Sequence, residues 1–314
     1  MPPTGATPAC PFVADPILPI SGSICALITP FTDTGAPYEA ALERLVEHHI
    51  QGGTRALVVA GSTGEAAMLE DGEYARLLAQ TVALVKGRIP ILAGTGAPGT
   101  TRTVRLTRLA CEQGVDAALV AAPSYVRPSQ EGLYRHYMTV AEQGGLPVML
   151  YNVPSRTACD LLPETVARLA PHANVIGIKE ALADAGRIQA LLALQNEGFV
   201  VLSGDDPTAL ASITAGARGV ISVAANVVPG LMSALCDHAL SGRGQQAQAL
   251  DRALAHLYRF LGVDSHPIPA KWLCHRLGLC QPRMRLPLTT LTPQWHGEGD
   301  QVLADLAQLA SQAE

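Results

Sequence analysis

The sequence is poor in charge and has no basic region that would suit a large anionic partner. Only 16% of its 314 residues are charged, and the formal net charge is −5. Lysine and arginine are dispersed along the chain rather than clustered. Since nucleic acids and anionic lipid surfaces are bound through basic patches, we expect neither a nucleic acid nor a membrane as partner. A small-molecule ligand is expected instead.

Signals for export or membrane insertion are also missing. Residues 1–22 contain no Lys or Arg and no apolar core like that of a signal peptide. No uncharged apolar stretch reaches the roughly 18 residues that a transmembrane helix needs. We expect residues 1–22 to be a disordered extension and the protein to be cytoplasmic.

The cysteines indicate neither a disulfide framework nor a metal site. The seven cysteines are scattered and odd in number, whereas small secreted domains carry paired cysteines. Cys274, His275 and Cys280 do not follow zinc-ligand spacing, and His48 and His49 are adjacent. We therefore expect a reducing compartment and no metal.

The chain is rich in apolar residues, which make up 48% of it and suffice for one large core. Short apolar runs alternate with segments that have helical periodicity. The runs predict eight strands, at residues 24–30, 56–60, 89–93, 117–121, 147–151, 174–179, 199–203 and 219–222. This pattern matches an α/β fold, a (β/α)8 TIM barrel over residues 23–228, followed by a C-terminal helical region over 229–314. Periodicity alone does not distinguish it from a doubly wound sheet, but both folds bind ligands at the carboxyl ends of their strands.

A tyrosine and a lysine end two neighbouring strands. One helix, beginning near Pro163, separates the strand ending at Tyr151 from the strand ending at Lys179. A unit of this length makes the strands parallel, so both side chains emerge at the same end of the sheet. An amine such as that of Lys179, at the rim of an apolar interior, could attack a carbonyl to give a Schiff base. Taken alone, a lysine that reaches solvent or pairs with Glu180 is the more frequent interpretation.

Two glycine-bracketed turns follow the second and third strands. Residues 61–65 (GSTGE) present two hydroxyls that could bind oxyanions or pass protons, although a capped helix start looks the same. The serine does not lie in the G-x-S-x-G frame of a hydrolase. Residues 94–99 fit the G-x-G-x-x-G pattern of dinucleotide sites, but Pro98 lies inside the turn and the match is in the third strand–helix unit. Neither a serine nucleophile nor a dinucleotide is expected.

Together, these motifs resemble those of the dihydrodipicolinate synthase family in order and spacing. The matching segments are GSTGE (61–65), GTGA (94–97), YVRPSQEGLY (125–134), YNVPSRT (151–157), GIKEA (177–181), SGDD (203–206), GVISVAANV (219–227), PIPAKWLCHRLGL (267–279) and RLPLTTLT (285–292). The combination of YNVPSRT with GIKEA is the most specific. The resemblance runs from about residue 22 to the end of the chain.

The resemblance implies a lyase of the class I aldolase type that condenses pyruvate with aspartate 4-semialdehyde, the first committed step towards diaminopimelate and lysine. No cofactor is needed, because a lysine forms the imine with pyruvate. By position this lysine is Lys179, and Tyr151 would transfer protons to and from it. Ser62 would link Tyr151 to Tyr125 of the partner subunit. The family assembles as a homotetramer, a pair of tight dimers.

The resemblance also assigns substrate-binding positions. Thr63 would bind the carboxylate of pyruvate, and Arg156 would bind the carboxylate of the semialdehyde through its planar fork. Gly204 and Ile221 would offer backbone groups near the imine. Another pyruvate-dependent lyase, such as a sialic acid or sugar-acid aldolase, is the alternative, although a fixed guanidinium favours a short acceptor with a carboxylate. A non-catalytic barrel that senses pyruvate is a further alternative.

Two departures from the family pattern stand out. Ser62 replaces the usual threonine, as in sialic acid lyases, and so lacks the methyl group that fixes a rotamer. Feedback-sensitive members bind lysine in a cleft at the tight-dimer interface, with serine, two histidines, asparagine, glutamate and tyrosine. The matching positions here are Ala66, Asp71, Tyr74, Pro98, Arg102 and Ser124. Because Arg102 puts a cation where a carboxylate would receive the lysine ammonium, we expect insensitivity to L-lysine.

Overall fold

Eight parallel strands close into a barrel in the order in which they occur along the chain. The computed structural model describes residues 20–311, with side chains up to residue 309, so most of the predicted disordered extension 1–22 lies outside the described residues. The strands are β1 (Gly22–Ala26), β2 (Ala56–Val59), β3 (Ile91–Gly94), β4 (Ala117–Ala121), β5 (Val148–Asn152), β6 (Val175–Glu180), β7 (Val200–Ser203) and β8 (Gly219–Ser222). Since β8 pairs with β1, the predicted TIM barrel is confirmed and an open doubly wound sheet is excluded.

Helices connect the strands and cover the outside of the barrel. They are α1 (Glu39–Gln51), α2 (Asp71–Val85), α3 (Thr100–Glu112), α4 (Gln130–Gln143), α5 (Pro154–Thr157), α6 (Pro163–Leu169), α7 (Ala185–Leu192) and α8 (Ala209–Ala215). The C-terminal region adds α9 (Pro229–Leu240), α10 (Gly244–Leu261), α11 (Ile268–Arg276) and α12 (His296–Ser311). Among the described residues, no helix combines the length and apolar character needed to cross a membrane.

Alternation along each strand divides the buried apolar residues between two cores. In β1, Ile24 and Ala26 point into the barrel, whereas Cys25 packs outward against the helices. In β5, Met149 and Tyr151 point inward. The barrel is therefore filled by side chains, and Tyr151 stands at the top of that filling, at the carboxyl end of its strand.

The first strand is shorter than predicted and begins earlier. The prediction was residues 24–30, whereas β1 covers Gly22–Ala26. Beyond it, the Ile28 N–H donates to Asn226 Oδ1 and the Thr29 hydroxyl donates to the Gly64 carbonyl. This apolar segment is buried against the loops at the carboxyl end of the barrel, which composition alone does not distinguish from a strand.

A buried ion pair joins the C-terminal region to the barrel. Lys271 in α11 donates to Glu65 in the loop after β2, and their side chains are 1% and 0% exposed. Glu65 Oε2 also accepts from the Arg285 N–H at 3.0 Å. Glu65 lies two residues beyond Thr63, so the C-terminal region packs against the loop that carries the two predicted hydroxyls.

Candidate active site

Tyr151 and Lys179 meet inside the barrel. They are direct neighbours in the pairing of β5 with β6, and Lys179 Nζ lies 4.4 Å from the centroid of the Tyr151 ring. Both residues are buried, at 7% and 4% exposure. Lys179 therefore does not reach solvent, and the carboxylate of Glu180 pairs with Arg187 instead. The two simpler interpretations of this lysine are wrong.

An irregularity in β6 determines the direction of Lys179. Val148 pairs with Val175 and Met149 pairs with Gly177, which leaves Ile176 as an extra residue. Without this bulge, strict alternation from Ile176 would turn Lys179 to the outside of the barrel. The glycine is needed there, because a Cβ on Gly177 would lie 2.3 Å from the Val200 carbonyl oxygen.

Gly204 lies directly against the lysine side chain. A Cβ at this position would be 3.0 Å from Lys179 Cε and 3.1 Å from Lys179 Cγ. The Gly204 N–H donates to the Glu180 carbonyl at 2.7 Å. The N–H is thus already used, and the absence of a side chain leaves room for the amine to lie as it does.

The loop after β2 presents its two hydroxyls differently. Thr63 is buried at 4% exposure, whereas Ser62 is exposed. Glu65 adopts a left-handed conformation, with φ of 57°, and its carboxylate is held by Lys271. Within residues 20–309, no hydrogen bond joins the Ser62 hydroxyl to Tyr151 or to Tyr125. The predicted relay is therefore not formed within a single chain.

Tyr125 and Arg156 lie at the mouth of the barrel. Tyr125 is 91% exposed, has φ of 73° and is held by its backbone N–H, which donates to the Thr157 carbonyl at 3.2 Å. Arg156 is exposed on the short helix α5, whose first residue, Pro154, follows directly after Val153. The end of β5 was predicted from the sequence but this helix was not, and Arg156 on it lines the cavity at the mouth.

Ile221, the remaining predicted residue, is buried in β8 opposite Ile24. The turn that follows it is held by Asp206, whose Oδ2 accepts from the N–H groups of Val223 and Ala224 at 2.9 and 2.8 Å. Burial raises the pKa of the Asp206 carboxyl above its ordinary value. Asp206 belongs to the SGDD segment, but nothing in that segment predicts this structural role.

One cavity of about 500 Å³ connects the barrel mouth with the predicted effector cleft. Ser62, Tyr151 and Arg156 line it, and Lys179 adjoins it beneath the Tyr151 ring. All six predicted effector positions line the same cavity: Ala66, Asp71, Tyr74, Pro98, Arg102 and Ser124. The two predicted sites are therefore continuous.

The outer part of this cavity is basic. Asp71 is engaged by two guanidinium groups, from Arg102 at 3.1 Å and from Arg105 at 2.7 Å. The Tyr74 hydroxyl donates to the Gly94 carbonyl at 3.1 Å. One carboxylate thus faces two cations, and the tyrosine hydroxyl is already committed.

The glycines of the G-x-G-x-x-G segment have a packing role. A Cβ at Gly94 would lie 2.2 Å from the Ala60 carbonyl oxygen, and one at Gly96 would lie 2.7 Å from the Ala121 nitrogen. Close approach of neighbouring strand ends accounts for both glycines without a dinucleotide.

A polar cluster that was not predicted from the sequence lies behind Tyr151 and Lys179. Asn152 and Glu180 lie inside the YNVPSRT and GIKEA motifs, yet only their neighbours received a role. The Asn152 side chain donates to Glu180 and to Asp160, and Glu180 also accepts from Arg187. The alternation of strand side chains was the available signal, because it places residues 152 and 180 on one face once the register is known.

Comparisons with a family model and with curated relatives indicate the same family for this chain. A model of the Dihydrodipicolinate synthetase family matches residues 19–306. The 4-hydroxy-tetrahydrodipicolinate synthase of Stenotrophomonas maltophilia (strain K279a) is 50% identical over 290 residues, covering 92% of this chain and 97% of the relative. That of Acidithiobacillus ferrooxidans (strain ATCC 53993 / BNL-5-31) is 50% identical over 275 residues, covering 88% of this chain and 94% of the relative.

Solved structures that are similar to this chain are also of dihydrodipicolinate synthases. The chloride-inhibited dihydrodipicolinate synthase from Acinetobacter baumannii, solved with pyruvate, is 44% identical with a TM-score of 0.89, covering 91% of this chain and 98% of that one. A lysine-bound enzyme from Cyanidioschyzon merolae is 30% identical with a TM-score of 0.88, covering 92% and 98%. With the family model, the relatives and the barrel in agreement, the chain belongs to the Dihydrodipicolinate synthetase family.

Proposed function

We propose that the protein is a 4-hydroxy-tetrahydrodipicolinate synthase that joins pyruvate to L-aspartate 4-semialdehyde through an imine on Lys179. The activity is that of a lyase. Two curated relatives with this enzyme name are each 50% identical to the chain. The observation that supports the chemistry most directly is the buried Lys179 amine beside the Tyr151 ring at the carboxyl end of the barrel. No further cofactor is required, since the imine itself is the electron sink.

The first steps follow from this pair. Lys179 Nζ attacks the keto carbon of pyruvate, and loss of water gives the imine. The cationic imine then allows a methyl proton to leave near neutral pH, so the resulting enamine carbon can attack the aldehyde. We assign the proton transfers to Tyr151, whose ring lies beside the amine and which lines the cavity that substrates would enter.

The carboxylates of the two substrates need different partners. We assign the pyruvate carboxylate to Thr63, which is buried at the barrel end, and the semialdehyde carboxylate to Arg156 at the mouth. A guanidinium forms two parallel hydrogen bonds to a carboxylate. Gly204 and Ile221 would complete the imine pocket, with Gly204 setting the space beside the lysine.

We assign the proton relay to two chains. Ser62 and Tyr151 line one cavity, whereas the Tyr125 ring is 91% exposed on its own chain. A second copy of the chain could supply its Tyr125 to this cavity, which would give the tight dimer that the family resemblance implies. Two such dimers would form the homotetramer.

We place the enzyme in the cytoplasm, where lysine precursors would be consumed.

An assay that couples product formation to dihydrodipicolinate reductase tests this function. Purified protein is given pyruvate and aspartate semialdehyde with dihydrodipicolinate reductase, beside a parallel assay that offers pyruvate with N-acetylmannosamine. We expect turnover only in the first. Turnover with the amino sugar alone would instead identify a sialic acid lyase, and no turnover with any aldehyde would favour the pyruvate sensor.

We also infer that L-lysine does not inhibit the enzyme. The Asp71 carboxylate, which could have received a lysine ammonium, is engaged by Arg102 and Arg105, and the Tyr74 hydroxyl is committed to Gly94. Repulsion by a guanidinium in a partly desolvated cleft costs on the order of a few kcal/mol, close to the roughly 4 kcal/mol of millimolar binding. Steady-state rates at subsaturating pyruvate should be the same with and without millimolar L-lysine. Partial inhibition that Arg102→Glu strengthens would show that the cleft still binds lysine.

A further inference from the structure

A polar cluster lies on the outer face of the barrel, directly behind the two proposed catalytic residues. Asn152 follows Tyr151 and Glu180 follows Lys179, and both pairs are in register between β5 and β6. Because successive side chains of a strand point to opposite faces, Asn152 and Glu180 point away from the interior. We call these two residues, together with Asp160 and Arg187, the Asn152 cluster.

The Asn152 amide lies between two carboxylates. Its Nδ2 is 3.1 and 3.0 Å from the two oxygens of Glu180 and 3.0 Å from Asp160 Oδ1. Its Oδ1 accepts from the Leu161 N–H at 2.9 Å. The neighbours fix the orientation of the amide, since carboxylates need a donor and the N–H needs an acceptor. No carboxylate at position 152 could make both kinds of contact.

Arg187 closes the cluster. It donates to Glu180 Oε2 at 3.3 Å, to Asp160 Oδ2 at 2.6 Å and to the Leu161 carbonyl at 3.1 Å. Its side chain is 10% exposed and that of Glu180 is 0% exposed. The buried Glu180 carboxylate and the partly exposed Asp160 carboxylate thus share one guanidinium and one neutral amide. Such a network is stable only when every member has its partner.

The cluster joins every segment that carries a proposed site residue from β5 to β7. Glu180 Oε1 accepts from the Leu182 N–H at 2.7 Å, and the Glu180 carbonyl accepts from the Gly204 N–H. The Asn152 carbonyl accepts from the Ala181 N–H at 3.0 Å. Through Leu161, the cluster also anchors the segment that follows the α5 helix and Arg156. A disturbance at Asn152 would reach the amine, the phenol and the guanidinium together.

We propose that Asn152 is a positioning residue for the condensation: by bridging Glu180 and Asp160 on the outside of the barrel, it sets the placement of Lys179 against Tyr151. This inference rests on the proposed function, but the two can be tested separately. A misplacement of about 1 Å in a reacting pair can lower a rate on the order of 100-fold, so positioning by the cluster is measurable.

Asn152→Asp is the most direct variant, because it keeps the shape and replaces the donor by a third carboxylate. We expect kcat to fall by on the order of 10- to 100-fold, and borohydride trapping of pyruvate on Lys179 to slow in parallel. The double variant Asn152→Asp, Glu180→Gln exchanges donor and acceptor and restores the original charge. We expect it to recover part of the lost rate, because the glutamine at position 180 supplies a donor to the carboxylate at position 152, while Asp160 Oδ1 still lacks the donor that Asn152 gave it.

Arg187→Lys covers the case in which Asn152→Asp fails to fold. It keeps the charge but loses the fork that reaches Glu180, Asp160 and Leu161 at once, so a fall in kcat of roughly 3- to 10-fold is expected, with a smaller change in KM. Arg135→Gln, which breaks an exposed pair with Glu131, is the matched control and should behave as the native protein.

The outcomes separate positioning from simple stability and from the proposed function. A cluster that matters only for stability would lower the thermal midpoint of Asn152→Asp, or of Arg187→Lys, without changing kcat or the trapping rate in the folded protein, and that result overturns the proposal. Equal losses in the single and double Asn152 variants also overturn it. Failure of the proposed function would appear instead in the native protein, as the absence of turnover with the semialdehyde.

Discussion

At the scale of single residues, the direction and the freedom of Lys179 depend on two glycines. Gly177 occupies the bulge that turns the lysine inward, where a Cβ would collide with the Val200 backbone. Gly204 leaves room for the aliphatic part of the lysine side chain. A methyl group at Gly177 would collide with rigid backbone, whereas one at Gly204 would collide with the side chain of Lys179, the proposed nucleophile.

Gly204→Ala should therefore lower activity more than stability. The new Cβ would lie 3.0 and 3.1 Å from Lys179 Cε and Cγ and 3.1 Å from Ala181 Cβ, and of these neighbours the lysine side chain is the one that can move readily. We expect kcat/KM for pyruvate to fall by on the order of tenfold, with little change in thermal midpoint. Gly230→Ala in α9 is the control, because nothing lies within 4 Å of its Cβ position. Equal kinetics in the two variants would show that Lys179 has more room than the structure indicates.

At the scale of elements, the sequence predicts which strands carry the site better than it predicts the face to which their side chains point. Tyr151 and Lys179 were expected to meet because both end parallel strands, and they do. The expectation did not include the bulge at Ile176, since VIGIK has no local signal that distinguishes an extra residue from regular alternation. Asn152 and Glu180 were missed for the same reason, because their face follows only from the register.

Helix α5 and the end of the first strand were also not predicted from the sequence. PSRT is too short for helical periodicity to be detected, so only the Pro154 break was predicted. Residues 27–30 are buried and, apart from Thr29, apolar, and a short apolar run resembles a strand whether or not it pairs. The conformation of both segments depends on contacts with residues far away in the sequence. One example is the hydrogen bond between Ile28 and Asn226, which are 198 positions apart.

The ion pair between Glu65 and Lys271 should stabilise the docking of α11 against the loop after β2. Removing one partner of a buried pair leaves an uncompensated charge and costs about 3–5 kcal/mol. Lys271→Met should therefore lower the free energy of unfolding by about that amount, measured by urea denaturation. The double variant Lys271→Met, Glu65→Gln should lose less than Lys271→Met alone, because no charge is left unpaired.

The control for this measurement is Arg55→Gln, which breaks the exposed pair with Asp237 and should change stability by no more than about 0.5 kcal/mol. If Lys271→Met were as stable as the control, the buried ion pair would contribute nothing to the docking of the C-terminal region.

At the scale of the whole molecule, the placement of Tyr125 predicts that activity requires two chains. The ring is 91% exposed and makes no contact with its own cavity, although the backbone beside it is held by Thr157. Tyr125→Phe should lower turnover because the relay loses a hydroxyl. Full activity in a demonstrated monomer would contradict the shared site.

Mixing two chains that are each defective in a different residue gives a sharper test of sharing. A Lys179→Ala chain can donate Tyr125 to a Tyr125→Phe chain that retains Lys179, which makes one complete site in each mixed dimer. After random reassociation, half of the dimers are mixed, so we expect recovery of up to about a quarter of the native activity. No gain above the sum of the separate variants would mean that each chain builds its site alone.

The central claim is that Lys179 carries pyruvate as an imine, and borohydride trapping tests it most directly. The native protein is incubated with pyruvate, reduced with sodium borohydride and mapped by mass spectrometry of its peptides, with Lys179→Arg treated in the same way. We predict one reduced pyruvate per chain, attached at Lys179, and none on the variant. An unlabelled Lys179 in a protein that still turns over, or label on another lysine such as Lys271, would contradict the account.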